Sequence, residues 1–215
     1  MSSAPLSRRS VIKAAAFAGS TVAFGLPQAL WPATAEAYTV DSKMDWWYQA
    51  RFGMFIHFGS YSYLGRGEWA FSADTNPLWT KSSYQSEVTS KFNPNAFNAA
   101  TIAQLAQNAG MKYLVITAKH HEGYAMWDSN VPGFTDATGT KQYNLHDFNN
   151  FQPDLLAQLK TECESRGIKF GLYYSILDWN HPSQTIDRGN YYSDMSSLSA
   201  RTGYINDMKP SCRNC

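Results

Sequence analysis

Three short apolar runs, separated by two stretches with helical periodicity, dominate the pattern of hydrophobic and polar positions along the chain. The runs cover residues 54–58, 112–118 and 169–175. They are rich in β-branched and aromatic residues, which is typical of strands buried in a parallel sheet. The middle run ends in four consecutive ionisable side chains at 119–122. Such a group is typical of an active site at the carboxyl end of a strand, and the alternative is a surface loop that merely collects charges.

The two intervening stretches predict amphipathic helices. The first extends over 96–108 and ends before Gly110, whereas the second begins around Pro153 and ends at Gly167. Proline suits the first turn of a helix, and glycine suits the position just after the last turn. Apolar residues at helical spacing form the predicted buried faces, which comprise Ile102, Leu105, Ala106 and Ala109 in the first helix and Leu156, Leu159 and Cys163 in the second.

The alternation of strand, helix, strand, helix and strand predicts an α/β fold with parallel pairing and right-handed crossovers. We expect the (β/α)8 TIM-barrel type, with about the first three β/α units present. The segments 71–95 and 129–152 lack periodicity and are expected to form long polar loops. A doubly wound sheet would also place polar groups at this edge, but no glycine-rich phosphate loop follows the first strand.

Composition narrows the class of partner. The net charge of +1 gives no reason to expect nucleic acid, and 44% hydrophobic residues are ordinary for a globular protein. Aromatic residues make up 15% of the chain, a high share that suits carbohydrate, since sugar rings have apolar faces. Aromatic residues are also ordinary core residues, so composition alone does not decide between these uses.

The N-terminus predicts an export signal. Arg8 and Arg9 precede an apolar stretch at 14–26, and alanines at 33, 35 and 37 offer a cleavage site. The apolar stretch is too short to span a membrane as a mature helix. We therefore expect residues 1–37 to be a twin-arginine signal peptide, recognised by the Tat export machinery. The mature protein would be periplasmic or secreted, with no membrane association after cleavage.

The three cysteines do not predict a disulfide framework. Cys163 falls on the apolar face of the second helix and is expected to be a buried small hydrophobic residue. Cys212 and Cys215 have the spacing of a redox or metal pair, but a single pair at a terminus is weak evidence for either.

Each predicted strand is followed by polar or aromatic side chains that could bind a ligand or take part in catalysis. His57 follows the first strand, with Glu68 and Trp69 in the next loop, and polar or aromatic groups follow the other two at 119–122 and 173–179. Carboxyl ends of parallel strands meet at one edge, so these groups are expected to converge. The alternative for His57 is a core histidine with a structural hydrogen bond.

The adjacent histidines, His120 and His121, raise the alternative of a metal site. Neighbouring residues on a strand point to opposite faces, which is poor geometry for two ligands of one ion. No other metal-ligand spacing is visible in the sequence. We therefore expect no metal and no cofactor.

Several segments, in one order along 44–179, resemble the α-L-fucosidases of glycoside hydrolase family 29. The resemblance implies a retaining exo-hydrolase on a TIM barrel that releases terminal L-fucose from a fucosylated oligosaccharide or glycoconjugate. Retaining hydrolysis uses two carboxyl groups about 5 Å apart, one of which becomes covalently bound to the sugar. The segments that carry the resemblance are 50–59, 67–69, 117–123, 127–129, 169–175 and 177–179.

The resemblance also implies a set of substrate-binding residues, which includes one of the tyrosines at 173 and 174. Because successive side chains of a strand alternate, only one of these tyrosines can face the site, and we expect it to be Tyr173. Neutral imidazole can donate and accept hydrogen bonds with sugar hydroxyls, and a carboxylate can accept two. The predicted set is His57, Glu68, Trp69, His120, His121 and Tyr173.

Neither catalytic carboxyl group of the family has a match in the sequence. The nucleophilic aspartate follows a later strand of the family, in a Trp-x-Asp segment, and nothing after Trp179 resembles it. Asp178 belongs to the third-strand segment and is not assigned as the nucleophile. We expect residues 38–209 to be the N-terminal portion of a glycosidase barrel that is inactive alone. The alternatives are a non-catalytic fucose-binding fragment and, least favoured, a metal-dependent barrel hydrolase.

The segment 210–215 interrupts a helix predicted over 204–209. One coding possibility for this segment, read in a shifted frame, gives Gln-Leu-Gln-Glu-Leu. That sequence would continue the helix and resembles the family's usual Gln-Leu-x-Glu-Leu. Our hypothesis is therefore that residues 210–215 form an out-of-frame tail.

Overall fold

A computed structural model of the chain describes residues 41–73, 78–181, 202 and 204–206. The chain divides into two units, Met1–Met44 and Asp45–Cys215. In the first unit, Ser42–Met44 form a single 3-10 turn. The predicted signal peptide and the tail at 210–215 lie outside the described residues. Within those residues, no helix is both long and apolar enough to cross a membrane.

One parallel sheet forms the centre of the second unit. Its strands are β1 (Gly53–Ile56), β2 (Tyr113–Lys119) and β3 (Lys169–Tyr174), in the spatial order β1-β2-β3. Gly53 lies opposite Tyr113, which in turn lies opposite Lys169. The predicted α/β fold and its parallel pairing are confirmed for these three strands.

The described helices include α1 (Asp45–Ala50), α2 (Ala70–Ala73), α3 (Lys81–Glu87), α4 (Ala99–Asn108) and α5 (Leu155–Ser165). Helix α4 lies between β1 and β2 in the chain, and α5 lies between β2 and β3. Residues 204–206 are also helical, within the helix predicted over 204–209.

Helix α4 begins three residues later than predicted, because the side chain of Asn98 caps it by accepting a hydrogen bond from the Thr101 amide at 2.9 Å. Gly110 follows the C-cap with a φ of 77°, as the prediction required. The predicted apolar face was partly wrong, since Leu105 is 61% exposed. Small side chains let α4 lie close to its neighbours, and the buried face consists of Ala99, Ala103 and Ala106.

Helix α5 buries Leu156, Leu159 and Cys163, which confirms the predicted face. Its N-cap is Asp154, whose carboxylate accepts a hydrogen bond from the Ala157 amide at 2.8 Å. Pro153 therefore precedes the helix, and the prediction that it stands in the first turn was wrong.

The segment predicted as one long loop after the first strand contains local structure. It includes α3, part of α2, and a 3-10 turn at Thr89–Lys91. Thr80 caps α3 by accepting a hydrogen bond from the Ser83 amide at 3.1 Å. A helix of seven residues is too short to show hydrophobic periodicity, so its capping sequence was the available signal.

The hydrophobic core lies around the central strand. Leu114 and Ile116 of β2 are buried, and they pack with buried residues of α4 and α5. The outer strands are less covered, and Phe55 of β1 is 52% exposed. The segment 129–152 is irregular, as predicted, but it contributes buried Tyr143 and Leu145 to the core.

Candidate functional site

The residues that the sequence predicts as a site lie together at the carboxyl ends of the three strands. The His120 ring is central, since its centroid lies 5.5 Å from that of His57 and 5.7 Å from that of Tyr173. The Trp69 ring lies 4.8 Å from the His121 ring. A carboxylate oxygen of Glu68 lies within 4.8 Å of a ring nitrogen of His57 and of His120. We call these six residues the histidine cluster: His57, Glu68, Trp69, His120, His121 and Tyr173.

A polar junction between Thr117 of β2 and the segment after β1 fixes the backbone next to His57. The Thr117 hydroxyl donates to the Phe58 carbonyl at 2.7 Å and accepts from the Phe58 amide at 2.8 Å. Because the Thr117 hydroxyl proton is directed to the Phe58 carbonyl, the Tyr61 hydroxyl must be the donor in its 2.9 Å hydrogen bond to the Thr117 oxygen. One buried side chain thus fixes the backbone directly after His57.

The prediction that His120 and His121 point to opposite faces was wrong. Strand β2 ends at Lys119, so neither histidine belongs to the alternating pleat. Their ring centroids lie only 4.2 Å apart. Both imidazoles therefore enter the same cluster.

The hydrogen bonds of His121 determine its tautomer. Its Nδ1 is hydrogen-bonded to Oγ of Ser175, and that hydroxyl donates its proton to the Leu177 carbonyl at 2.6 Å. Ser175 must therefore accept from His121, so Nδ1 carries the proton and Nε2 is an acceptor. Burial and the charge of Lys119 lower the pKa of His121, which favours this neutral form.

His120 is the more deeply buried of the pair, with 3% of its surface exposed. Burial, and then the neighbouring His121, His57 and Lys119, lower the pKa of His120 to about 3. The ring is therefore neutral near pH 7, with one donor and one acceptor nitrogen. Its Nδ1 lies 3.9 Å from Oε2 of Glu122, and neither atom has a hydrogen-bond partner among the described residues.

Glu122 is a buried carboxyl group whose Oε2 lies 3.9 Å from Nδ1 of His120, and it is not among the predicted substrate-binding residues. The hydroxyl of Ser60 donates to its Oε1 at 3.4 Å. Burial raises the pKa of Glu122 to about 8, although Lys119 opposes part of this effect. Glu122 is consequently a neutral acid near pH 7.

A buried ion pair joins the end of β2, directly before His120, to the segment after β3. Nζ of Lys119 lies 2.9 Å from Oδ2 of Asp178, and each side chain is 1% exposed. The other carboxylate oxygen of Asp178 accepts from the Asn180 and His181 amides at 2.9 and 3.0 Å. Asp178 is thus engaged in structure, which agrees with leaving it unassigned as a nucleophile.

The two tyrosines of β3 face opposite ways. The Tyr173 ring stacks on His120 with an interplanar angle of 28°. The Tyr174 ring lies 6.1 Å from Trp127, and Nζ of Lys119 lies 5.0 Å from its centroid. Alternation therefore brings Tyr173 into the histidine cluster, while its role in binding stays a prediction.

Trp69 forms an accessible aromatic wall. Its side chain is 38% exposed and packs against His121 and, at 5.5 Å between centroids, against Trp179. Trp179 itself is buried. The exposed part of the indole is a flat apolar surface beside several hydrogen-bonding groups, an arrangement that can pack against a sugar face.

Two groups of residues within the described ranges could hold a metal ion. One consists of His57, Glu68 and His120, and the other of Asp128, His146 and Asp147. The expectation of no metal rested on the spacing of ligands along the chain. The predicted convergence of the strand ends brings His57 and Glu68 beside His120, although these residues are far apart in the sequence.

The fold and the site define a parallel β/α protein with a cluster of histidine, carboxylate and tryptophan side chains at the carboxyl ends of its strands. The chain belongs to the α-L-fucosidase family, glycoside hydrolase family 29, since the Alpha-L-fucosidase family model matches residues 27–214.

Relatives and solved structures agree on this family. The chain is 30% identical to the tissue α-L-fucosidase of Macaca fascicularis over 212 residues, which cover 89% of this chain and 43% of the relative. It is 31% identical to the human tissue enzyme over 183 residues, covering 77% of this chain and 37% of that relative. The chain thus spans less than half the length of these curated relatives.

Among solved structures, a family 29 α-L-fucosidase from Bacteroides thetaiotaomicron is similar with a TM-score of 0.66 and 25% identity. The match covers 85% of this chain and 39% of that one. The α-L-fucosidase AlfC from Lactobacillus casei, in complex with α-L-fucose product, is similar with a TM-score of 0.62 and 32% identity, covering 81% of this chain and 58% of that one.

Proposed function

We propose that the histidine cluster holds a terminal L-fucose residue and that the whole protein is an exported, retaining α-L-fucosidase. This proposal rests on the convergence of His57, Glu68 and His120 in a chain of this family. One ring nitrogen of each histidine and one carboxylate oxygen of Glu68 lie within 4.8 Å of one another. The substrate class is a fucosylated oligosaccharide or glycoconjugate. Similarity to an α-L-fucosidase solved in complex with Fucα(1,6)GlcNAc supports this class.

The side chains suit a sugar with several hydroxyl groups. Nε2 of His121 is an acceptor because its Nδ1 proton is directed to Ser175. Glu68 can accept from two hydroxyls, and charge-assisted hydrogen bonds of this kind are the stronger ones. The exposed indole of Trp69 would pack against the apolar face or the methyl group of fucose.

The buried carboxyl groups of Asp178 and Glu122 are poorly suited to catalysing turnover. Asp178 is paired with Lys119, and Glu122 is a buried neutral acid. Retaining hydrolysis needs a nucleophile and an acid/base about 5 Å apart across the scissile bond. We propose that further β/α units complete a (β/α)8 barrel and supply both, so that the 215-residue chain binds L-fucose without hydrolysing fucosides.

The binding proposal is tested by titrating the purified chain with L-fucose in a calorimeter. Glu68→Gln removes the charge and keeps the shape, and we expect it to weaken binding by about 10-fold. His146→Ala, which lies outside the histidine cluster, is the matched control and should leave the affinity unchanged. Equal affinities in all three proteins, or no binding by the unmodified chain, would contradict the proposal.

The turnover proposal is tested with an aryl α-L-fucoside. We expect no release of the aryl alcohol by the chain, in a preparation that binds L-fucose in the calorimeter. Hydrolysis that Glu68→Gln reduces would show that the chain contains its own catalytic carboxyl groups.

We also propose that residues 1–37 direct export through the twin-arginine route. The paired arginines, Arg8 and Arg9, and the alanines before Tyr38 support this reading. Replacing both arginines by lysine should leave the protein in the cytoplasm, as cell fractionation would measure. Unchanged export of that variant would argue for another route.

A further inference from the structure

We propose that His57, Glu68 and His120 also bind a divalent transition-metal cation, with zinc as the best-matched ion, and that this cation excludes the sugar. Each of the three residues offers one ligand atom, and these atoms lie within 4.8 Å of one another. The competition with sugar rests on the proposed function, whereas the metal site itself does not.

The three ligand atoms, two from imidazoles and one from a carboxylate, are of the types that favour zinc. Two imidazoles and one carboxylate bind zinc in known three-residue sites, which leave a fourth position for water or substrate. Imidazole nitrogen also selects for zinc, copper and nickel over magnesium and calcium, which prefer oxygen. The site would therefore take a zinc-like cation rather than calcium.

Two buried polar atoms, one on His120 and one on Glu122, also favour a metal ligand at His120. A metal-bound histidine usually donates its other ring N–H to a carboxyl oxygen or a carbonyl. Nδ1 of His120 faces Oε2 of Glu122 at 3.9 Å, and in the described part of the chain neither atom has a hydrogen-bond partner. Coordination through Nε2 leaves the Nδ1 proton directed at this oxygen.

The three ligands need only a modest contraction. Ligands of a tetrahedral zinc ion at about 2.1 Å lie about 3.4 Å from each other. His120 is fixed by burial, but His57 is exposed and Glu68 is half-buried, so their side chains can move towards it. The nearby positive charge of Lys119 is compensated by Asp178 at 2.9 Å.

The other candidate group lacks this support. Asp128, His146 and Asp147 lie at the surface, where Asp128 is 50% and His146 is 33% exposed. Asp147 already accepts a hydrogen bond from the side chain of Asn144 at 2.9 Å. Exposed acidic groups of this kind often bind no ion, so His146 provides an internal control.

The experiment titrates the metal-free chain with zinc in a calorimeter and, in parallel, with cobalt while recording visible absorption. The background is Cys212→Ser/Cys215→Ser, because paired cysteines bind zinc themselves. We expect one zinc site, whose affinity falls by at least about 10-fold in Glu68→Gln and in His57→Asn. His146→Ala should bind zinc as the background protein does, and circular dichroism should show all variants folded.

The outcomes separate the two proposals. Loss of zinc binding in His146→Ala, or equal affinity in all variants, would overturn the metal site. A shift of the apparent zinc dissociation constant by the factor 1 + [L-fucose]/Kd supports both metal site and sugar site. Zinc binding that needs Glu68 but ignores saturating L-fucose upholds the metal site and overturns the exclusion of sugar at these residues.

Discussion

Nζ of Lys119 and Oδ2 of Asp178 form an ion pair of 2.9 Å in which each side chain is 1% exposed. The two residues are separated by 59 positions, and their bond joins the end of β2 to the loop after β3. Because Lys119 directly precedes His120 and His121 in the chain, the pair supports the backbone from which both imidazoles project.

Breaking this pair from one side should be strongly destabilising. Lys119→Met leaves the Asp178 carboxylate buried without its cation, and we expect a loss of about 3–5 kcal/mol in the free energy of unfolding. Urea denaturation measures this change. The double variant Lys119→Met/Asp178→Asn should lose less than Lys119→Met alone, since no buried charge remains.

The matched control is the ion pair of Lys160 and Glu164, whose side chains are 58% and 60% exposed. Lys160→Met should change the unfolding free energy by less than about 0.5 kcal/mol, because water screens this pair. A loss in Lys119→Met as small as that in Lys160→Met would contradict the structural role of the buried pair.

The neutral state of Glu122 should make stability depend on pH. Its pKa is about 8 in the folded chain and has the ordinary value of 4.5 for a glutamate in water. The folded state therefore binds the proton more tightly, so this contribution is fully present below pH 4.5 and is lost as the pH rises towards 8. The expected slope is about 1.4 kcal/mol per pH unit within that window.

Glu122→Gln removes this titrating carboxyl group. The variant should therefore lose the part of the pH dependence of stability that Glu122 causes. We would measure urea unfolding of both proteins between pH 5 and pH 8 with chelator present. The variant should gain stability relative to the unmodified chain as the pH rises. A difference between the two proteins that stays constant with pH would show that Glu122 has an ordinary pKa.

Gly123 is constrained by both conformation and space. Its φ is 83°, and a Cβ atom at this position would lie 2.4 Å from Oδ1 of Asp178. Gly139 has a similar φ of 73°, but nothing lies within 4 Å of its would-be Cβ. Gly139→Ala should cost about 1–2 kcal/mol from backbone conformation alone.

Gly123→Ala should cost clearly more, because the Asp178 carboxylate must move away from its hydrogen bonds. Thermal or urea unfolding of both variants measures the difference. Equal losses would indicate that the carboxylate relaxes without strain, and that only the positive φ matters.

Local sequence patterns were sufficient to predict the positions of the strands and the orientation of Tyr173. The apolar runs marked the strands to within two residues, and strict alternation separated Tyr173 from Tyr174. These features depend on neighbours in the sequence. Parallel pairing then brought the strand ends together, which is why the six residues predicted as a site converge.

Long-range packing determined what the sequence patterns missed. The contact between Lys119 and Asp178 joins residues on different segments. The position of Glu122 beside His120 depends on the turn after β2, in which the Gly123 amide donates to the His120 carbonyl at 3.1 Å, and the strand pattern does not show this turn. The face of α4 was mispredicted because hydrophobicity favoured Leu105, whereas close packing selected alanines. The close approach of the His120 and His121 rings, 4.2 Å between centroids, was missed because it depends on β2 ending at Lys119.

The serine that fixes the His121 tautomer offers a last test of the sugar site. Ser175 accepts from Nδ1 and donates to the Leu177 carbonyl, so Nε2 is available as an acceptor for a hydroxyl of the sugar. Ser175→Ala removes this constraint, and we expect L-fucose to bind about 5- to 10-fold more weakly, the equivalent of one ordinary hydrogen bond. The control is Ser129→Ala, since the Ser129 hydroxyl is buried without a partner among the described residues. Calorimetric titration should show unchanged affinity in the control, and an equal loss in both variants would mean that a general loosening of the fold, rather than the tautomer of His121, weakens binding.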